Sequence, residues 1–341
     1  MLPQNGKRKE EIIMLKFDAE RMEREARANL ADKDQLIALA DQIHAEGYTN
    51  LFFIGVGGTI TYAMIMDANL RAYTALPYYA EHAADFNTQG NRRFSDRSVV
   101  IVSSASGDTP EILEAVKKAR QAGARVVAFV ETPGTPIAEN ATYSIAGASH
   151  YRFYTFLFRL AYDRGEFPQF NGMIENLEKL PALLPKVSEQ ADEKCAAYAK
   201  AHRDDAIQYL VGSGNLWGAT YSYGMCIMEE MQWMRTKSIS AGDLFHGTLE
   251  VIDRDTNVLL FVGEDATRPQ MERAERFLRR VCRNVTVFDT ADYALSGLDP
   301  AYRGLFAPFI LGAVTSRISV HLEEEGKHPL EIRRYYRKLT Y

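Results

Sequence analysis

The sequence predicts an α/β protein of two tandem domains, each a mostly parallel sheet covered by helices on both faces. Three observations predict it. Short apolar runs of strand length alternate with longer amphipathic segments, the pattern of parallel strands joined by crossover helices. The principal runs end in Gly- or Ser-rich turns that open helices. The plan also occurs twice: runs near Phe53, Val100 and Val127 recur near Leu210, Leu259 and Thr286, at offsets of 157 to 159 residues, as an internal duplication requires. With 341 residues and 46% hydrophobic content, the chain can fill two cores.

Taken in order, residues 1–13 read as a flexible leader, with Met14 the expected true start. "DAERMEREARANLADKDQLIALADQIHAEG" has helical spacing and stops at Gly47. "NLFFIGVGGTITYAM" is a strand, a glycine turn and a helix. "RSVVIVSSASGDTPEILEAVKKARQAGARVVAFVET" repeats that plan and adds a second strand after Gly123. These segments assign the first domain to residues 14–170. A helical connector, residues 171–205, is expected to be broken at Pro181 and Pro185. The second domain, residues 206–341, contains "AIQYLVGSGNLWGATYSYGMCIMEEMQW" and "NVLLFVGEDATRPQMERAERFLRRVCRNVTVFDT", then the Arg- and Tyr-dense tail "EIRRYYRKLTY". That tail reads as a docked terminus, or as a strap over a partner subunit or a phosphosugar.

Composition narrows the function. A formal charge of −5 without a basic stripe argues against nucleic acid. Three widely spaced cysteines, Cys195, Cys226 and Cys282, fit free thiols in a reducing cytoplasm. The seven histidines show no ligand spacing, so neither a metal nor another cofactor is expected. The longest apolar run, "LFAPFILGAV" from Leu305, falls short of the roughly 18 residues of a membrane span and contains Pro308. There is no signal-peptide core. A soluble cytoplasmic protein is expected.

"SSASGDTPE" follows a strand directly and precedes a helix with Pro110 at its start. Ser104, Ser106 and Thr109 in that loop either cap the helix or cradle a phosphate with its free N–H groups. Asp108 and Glu111 favour the cap. The bare turn of Gly57, Gly58 and Thr59, expected on the same sheet edge, favours the cradle. No lysine follows the glycine, which excludes a nucleotide P-loop, and Ile60 stands where a dinucleotide fingerprint needs its third glycine. The matching loop of the second half, "VGEDATRP", lacks the serines.

Glu230 sits in a helical pattern, and His246 follows sixteen positions later, after a Ser/Gly loop. Such a pair can move protons between carbon and oxygen or nitrogen. Spacing alone favours the plainer reading, a solvated helix glutamate and a satisfied loop histidine.

Together these pieces resemble the sugar isomerase (SIS) family in its two-domain form. "VGGT" matches its first phosphosugar turn, "SSASGDT" its S-x-S-G-x-T loop, and "EMQW…GDLFHG" its glutamate and histidine sixteen residues apart. The likeness runs from about Met14 over nearly the whole chain. "MCIMEEMQWMRT" and "IRRYYRKLTY" narrow it toward bacterial deglycases of 6-phosphorylated fructoselysine and glucoselysine. The resemblance implies phosphate held by Ser104, Ser106, Thr109 and Thr59, with Glu230 as acid/base and His246 aiding ring opening or protonating the leaving amine. It implies a homodimer or higher oligomer with sites between subunits. Asp243 stands where relatives carry glutamate, Val56 where many carry cysteine, and Ile227 where aminotransfer isomerases carry lysine. Arg334 and Tyr336 of the tail are further substrate-binding candidates.

The expected function is a cofactor-independent deglycase that releases hexose 6-phosphate and a free amino acid from a phosphorylated conjugate. An aldose–ketose phosphosugar isomerase and a non-catalytic sugar-phosphate sensor are the alternatives.

Overall fold

A computed structural model describes residues 14–340; the expected leader, residues 1–13, lies outside the described residues. The opening helical stretch divides into α1 (Ala19–Ala28) and α2 (Lys33–Glu46). Arg152 fixes the break between them: its guanidinium binds the Asp32 carboxylate at 2.8 Å and Asn29 Oδ1 at 2.7 Å. Gly47 ends α2 at φ +79°, a conformation glycine adopts freely.

The first sheet contains β1 (Asn50–Gly55), β2 (Tyr78–His82), β3 (Ser98–Ser104), β4 (Arg125–Val130) and β5 (Tyr143–Ala146), all parallel, in the order β2-β1-β3-β4-β5. Helices α3 (Gly58–Leu70), α4 (Ala83–Gln89), α5 (Pro110–Gln121) and α6 (Pro136–Asn140) connect the strands, and α7 (His150–Asp163) follows. After α8 (Phe170–Leu177) and α9 (Leu180–His202) comes the second parallel sheet. It contains β6 (Gln208–Gly212), β7 (Thr236–Ser240), β8 (Asn257–Val262) and β9 (Asn284–Asp289) in the order β7-β6-β8-β9. Its helices are α10 (Trp217–Ser222), α11 (Arg268–Val281) and α12 (Arg303–Gly326).

The duplication read from the sequence is therefore a repeated topology: β2-β1-β3-β4 and β7-β6-β8-β9 have the same order, and Phe53 pairs with Ile101 as Leu210 pairs with Leu259. Alternate strand residues face different cores. Phe53, Ile101 and Phe129 share one continuous core with Leu210, Leu259 and Phe261 of the other sheet. Phe52, Val100 and Val126 pack under α5, and Val211, Val258 and Leu260 under α11. Burial on both faces is why these strands read as unbroken apolar runs.

Two sequence expectations fail, each at a proline. Pro181 lies in the first turn of α9 and Pro185 inside it, yet the helix runs unbroken for 23 residues. Likewise the run at Leu305 is not cut short by Pro308 but extends into a 24-residue helix. Pro308 withholds its N–H from the Gly304 carbonyl, and the Asn215 side-chain amide donates to that carbonyl instead, at 2.8 Å. By length and composition this helix, read from Pro300, passes for a membrane span, but 72% of its most apolar stretch is buried inside the protein, with α9 as its main neighbour.

Asn215 also joins the halves. Its amide donates to Asn69 Oδ1 on α3 at 3.0 Å, Asn69 donates to the Tyr154 hydroxyl at 2.7 Å, and Tyr154 donates to the Leu305 carbonyl at 2.9 Å. Beside this network a Cβ on Gly218 would sit 2.8 Å from the Thr61 carbonyl, so α10 lies directly on α3. Replacing Asn69 strands two buried partners, and Asn69→Ala is expected to lose about 1–3 kcal/mol of stability, measured as a lower urea midpoint at unchanged slope.

Candidate active site

The serine loop leaves β3 at Ser104 and enters α5 at Pro110. Gly107 turns it at φ +69°, where the Gly107 N–H donates to Ser104 Oγ at 3.1 Å. Ser104 Oγ lies 2.9 Å from the Thr109 hydroxyl. Thr109 is the N-cap residue of α5, but its side chain makes no capping bond. The hydroxyls are therefore grouped with one another and are not consumed by the helix, which removes the capping account of this loop. Ser103 Oγ is fully buried without a hydrogen-bond partner among the described residues.

Charge at the loop comes from far along the chain. Arg337 donates to Ser106 Oγ at 2.7 Å and to Asp108 Oδ1 at 3.0 Å. The Ser106 hydroxyl and then Arg337 hold the Asp108 carboxyl below its usual range. The acidic residue that seemed to oppose an anion here is thus already paired.

The glycine turn occupies the same sheet edge. Gly57 takes φ +52°. Thr59 Oγ1 accepts from the Val56 N–H at 2.9 Å and donates to the Val56 carbonyl at 2.8 Å, so this hydroxyl closes its own turn. A Cβ on Gly58 would lie 3.5 Å from Cys226 Sγ, so the turn faces the segment that carries Glu230.

That segment is not a regular α-helix. After α10, Tyr223–Glu229 is a π-helix, and the wide hydrogen bonding continues with Glu230 N–H on Met225 O at 3.1 Å and Gln232 N–H on Ile227 O at 3.0 Å. π segments recur at functional sites because they displace the side chains that follow. Along it Met228 is fully buried, while Cys226 and Ile227 are half-buried. Glu230 is half-buried and Glu229 exposed, so one of the two adjacent carboxylates faces inward. Glu230 Oε1 accepts from Arg333 Nε at 2.7 Å. The widened helix ends at Trp233 with φ +55°, a strained conformation for a bulky residue at a cost of about 1–3 kcal/mol.

His246 ends a short turn after β7, at the surface. Asp243 builds that turn: it accepts from Ser240 Oγ at 2.7 Å, and its carbonyl accepts from the His246 N–H at 2.9 Å. The cleft that holds Glu230 is lined by Trp233 and Arg235 and, from the tail, by Arg333, Arg334 and Tyr336. His246 is not among its lining residues. The structure thus brings Glu230 to the tail but does not seat His246 in the same cleft of a single chain.

In the second half, Asp265 fills the place corresponding to the anion loop. It accepts from the Asn215 N–H at 2.8 Å, from the Thr267 N–H at 2.8 Å and from the Thr267 hydroxyl at 2.6 Å, and it lies against Gly214. A built-in carboxylate satisfies those donors, consistent with a loop that lacks serines.

Sequence reading missed the contacts of Arg333 and Arg337 and those of Asp265. The Arg/Tyr density of the tail was the available signal for the first two. Asp265 carried none, because a loop aspartate reads as solvated.

Tandem parallel sheets, one with a hydroxyl-lined loop and the other with a carboxylate on a distorted helix, define a two-domain α/β enzyme. A model of the SIS domain matches residues 47–156. The fructosamine deglycase FrlB of Bacillus subtilis (strain 168) is 32% identical over 318 residues, covering 89% of this chain and 96% of that protein. The fructoselysine 6-phosphate deglycase of Escherichia coli (strain K12) is 24% identical over 306 residues, 88% of each. A solved Bacillus subtilis structure described as a phosphosugar isomerase superposes with a TM-score of 0.84 at 30% identity, over 93% of this chain and 100% of that one. The chain belongs to the SIS family, in its two-domain form.

Ser104→Ala removes a buried hydroxyl with two partners. It is expected to destabilise by about 1 kcal/mol and to weaken binding of inorganic phosphate about tenfold by calorimetry.

Proposed function

We propose that this chain is a deglycase that hydrolyses a 6-phosphorylated sugar–amino acid conjugate, of the fructoselysine- or glucoselysine-6-phosphate kind, to hexose 6-phosphate and free amino acid. The tail carries this reading. Arg333 on Glu230 and Arg337 on Ser106 and Asp108 tie the carboxylate and the serine loop to one short stretch of chain. Residues four apart have Cα atoms no more than about 14 Å apart even when extended, the scale of one small ligand. The activities named for the Bacillus subtilis and Escherichia coli relatives support the same chemistry.

In this reading the phosphate lies at the N-terminus of α5, on Ser104, Ser106 and Thr109 and against the Gly57–Thr59 turn, with Arg337 moving from Asp108 to the phosphate. Anchoring that remote group orients the reacting carbons. In the open-chain conjugate, Glu230 leaves Arg333 and takes a proton from the carbon bearing the nitrogen in a fructosyl conjugate. The adjacent carbonyl oxygen gains a proton and becomes a hydroxyl, and the proton delivered to its carbon leaves a C=N bond. Water adds across that bond. The C–N bond then breaks as the amine departs protonated, leaving the aldehyde of the hexose 6-phosphate. His246, which does not line the Glu230 cleft of its own chain, serves the site of a second copy in a homo-oligomer, where it aids ring opening or protonates the amine.

The test is to incubate the protein with 6-phosphorylated fructoselysine and glucoselysine and to follow lysine and hexose 6-phosphate. Release is expected, and Glu230→Gln and His246→Asn are each expected to lower it by at least about 100-fold. Interconversion of fructose and glucose 6-phosphates without release of lysine would replace this reading with an aldose–ketose isomerase. Binding of sugar phosphate with no turnover of any kind would replace it with a sensor.

A further inference from the structure

The cleft at Glu230 has a volume of about 710 Å³ and holds more positive charge than its carboxylates account for. Of the tail arginines, Arg333 is taken by Glu230 and Arg337 by Asp108. Arg334 instead lies over the Trp233 ring at 4.2 Å from its centroid. Stacking of this kind fixes the guanidinium plane and leaves its N–H edge free for a planar bidentate acceptor. Arg235, exposed in the same cleft, pairs with no carboxylate among the described residues, and neither does Arg334. Glu229 in the same cleft holds only the Thr236 hydroxyl. The partly exposed indole of Trp233 also lines the cleft, presented by its strained backbone and backed by His328 at 4.3 Å.

We infer that this cleft is the amino-acid subsite: Arg235 and Arg334 receive the α-carboxylate, Glu229 faces the α-ammonium, and Trp233 covers the methylenes of a side chain linked to the sugar through its terminal amine. The inference rests on the deglycase reading. A conjugate of that class carries two permanent anions, and the serine loop accounts for only one. The second needs donors apart from the serine loop, and the cleft at Glu230 supplies the guanidiniums of Arg235 and Arg334, neither paired with a carboxylate among the described residues. A plain hexose phosphate brings no second anion and no apolar chain, so it would leave both the guanidiniums and the indole without a use. The subsite therefore selects a zwitterionic diamino acid over a simple alkylamine.

The experiment compares 6-phosphorylated fructosyllysine with the same conjugate of cadaverine, which keeps the chain and the reacting amine but lacks the α-carboxylate. The unaltered protein is expected to favour the lysine conjugate in kcat/KM by about 10- to 100-fold. In Arg235→Gln and Arg334→Gln proteins that ratio is expected to fall toward one, a change that general damage to the fold would not produce. Glu229→Gln is expected to erase discrimination against the α-N-acetylated lysine conjugate. Equal turnover of the lysine and cadaverine conjugates by the unaltered protein would overturn the subsite while leaving the deglycase standing. A ratio that survives both arginine substitutions would overturn its assignment to these residues. Turnover of neither conjugate would remove the deglycase reading, and this inference with it.

Discussion

The site depends on the buried bridge between Asn69, Asn215 and Tyr154. Each half of the molecule could satisfy its own strands and helices. This network, with the bare contact of Gly218 on α3, joins the halves through directed bonds inside the apolar core they share. Buried polar groups tolerate few arrangements, because any shift that breaks one bond leaves a donor or acceptor without water or partner. The network thus sets the angle at which the first half's glycine turn meets the second half's widened helix. It also supplies the donor that lets α12 pass through Pro308, so one asparagine secures both the interface and its longest helix.

From that frame the functional groups are assembled by exception to regular structure. A π segment carries Glu230 and ends in the strained Trp233. The tail, which forms no regular element, then connects the carboxylate to the serine loop. Strain and irregular backbone persist only where surrounding packing determines them, and here both lie next to the residues assigned to chemistry.

Much of the fold was legible because it follows from local rules. Strands buried on both faces must be apolar throughout, and a duplicated plan must repeat at a constant offset, so Phe53, Val100 and Val127 announced their counterparts. The serine loop was legible because hydroxyls in that density after a strand have few uses. The π segment was not, since one inserted residue changes hydrogen bonding without changing composition. Pro308 misled because a tertiary partner, Asn215, satisfies the carbonyl that the proline frees. The contacts of Arg333 and Arg337 join residues more than a hundred and more than two hundred positions apart, and no periodicity encodes such pairs.

Duplication places equivalent loops at two sheet edges, and the two copies have since diverged. In the second copy Asp265 carries that difference within the covalent chain. Its carboxylate takes up the Asn215 and Thr267 N–H groups and the Thr267 hydroxyl at that edge. The second copy is thereby a scaffold with a permanent internal counterion. Its loop needs no ligand to be ordered, and it can hold Glu230 and the tail in place whether or not the first copy is occupied.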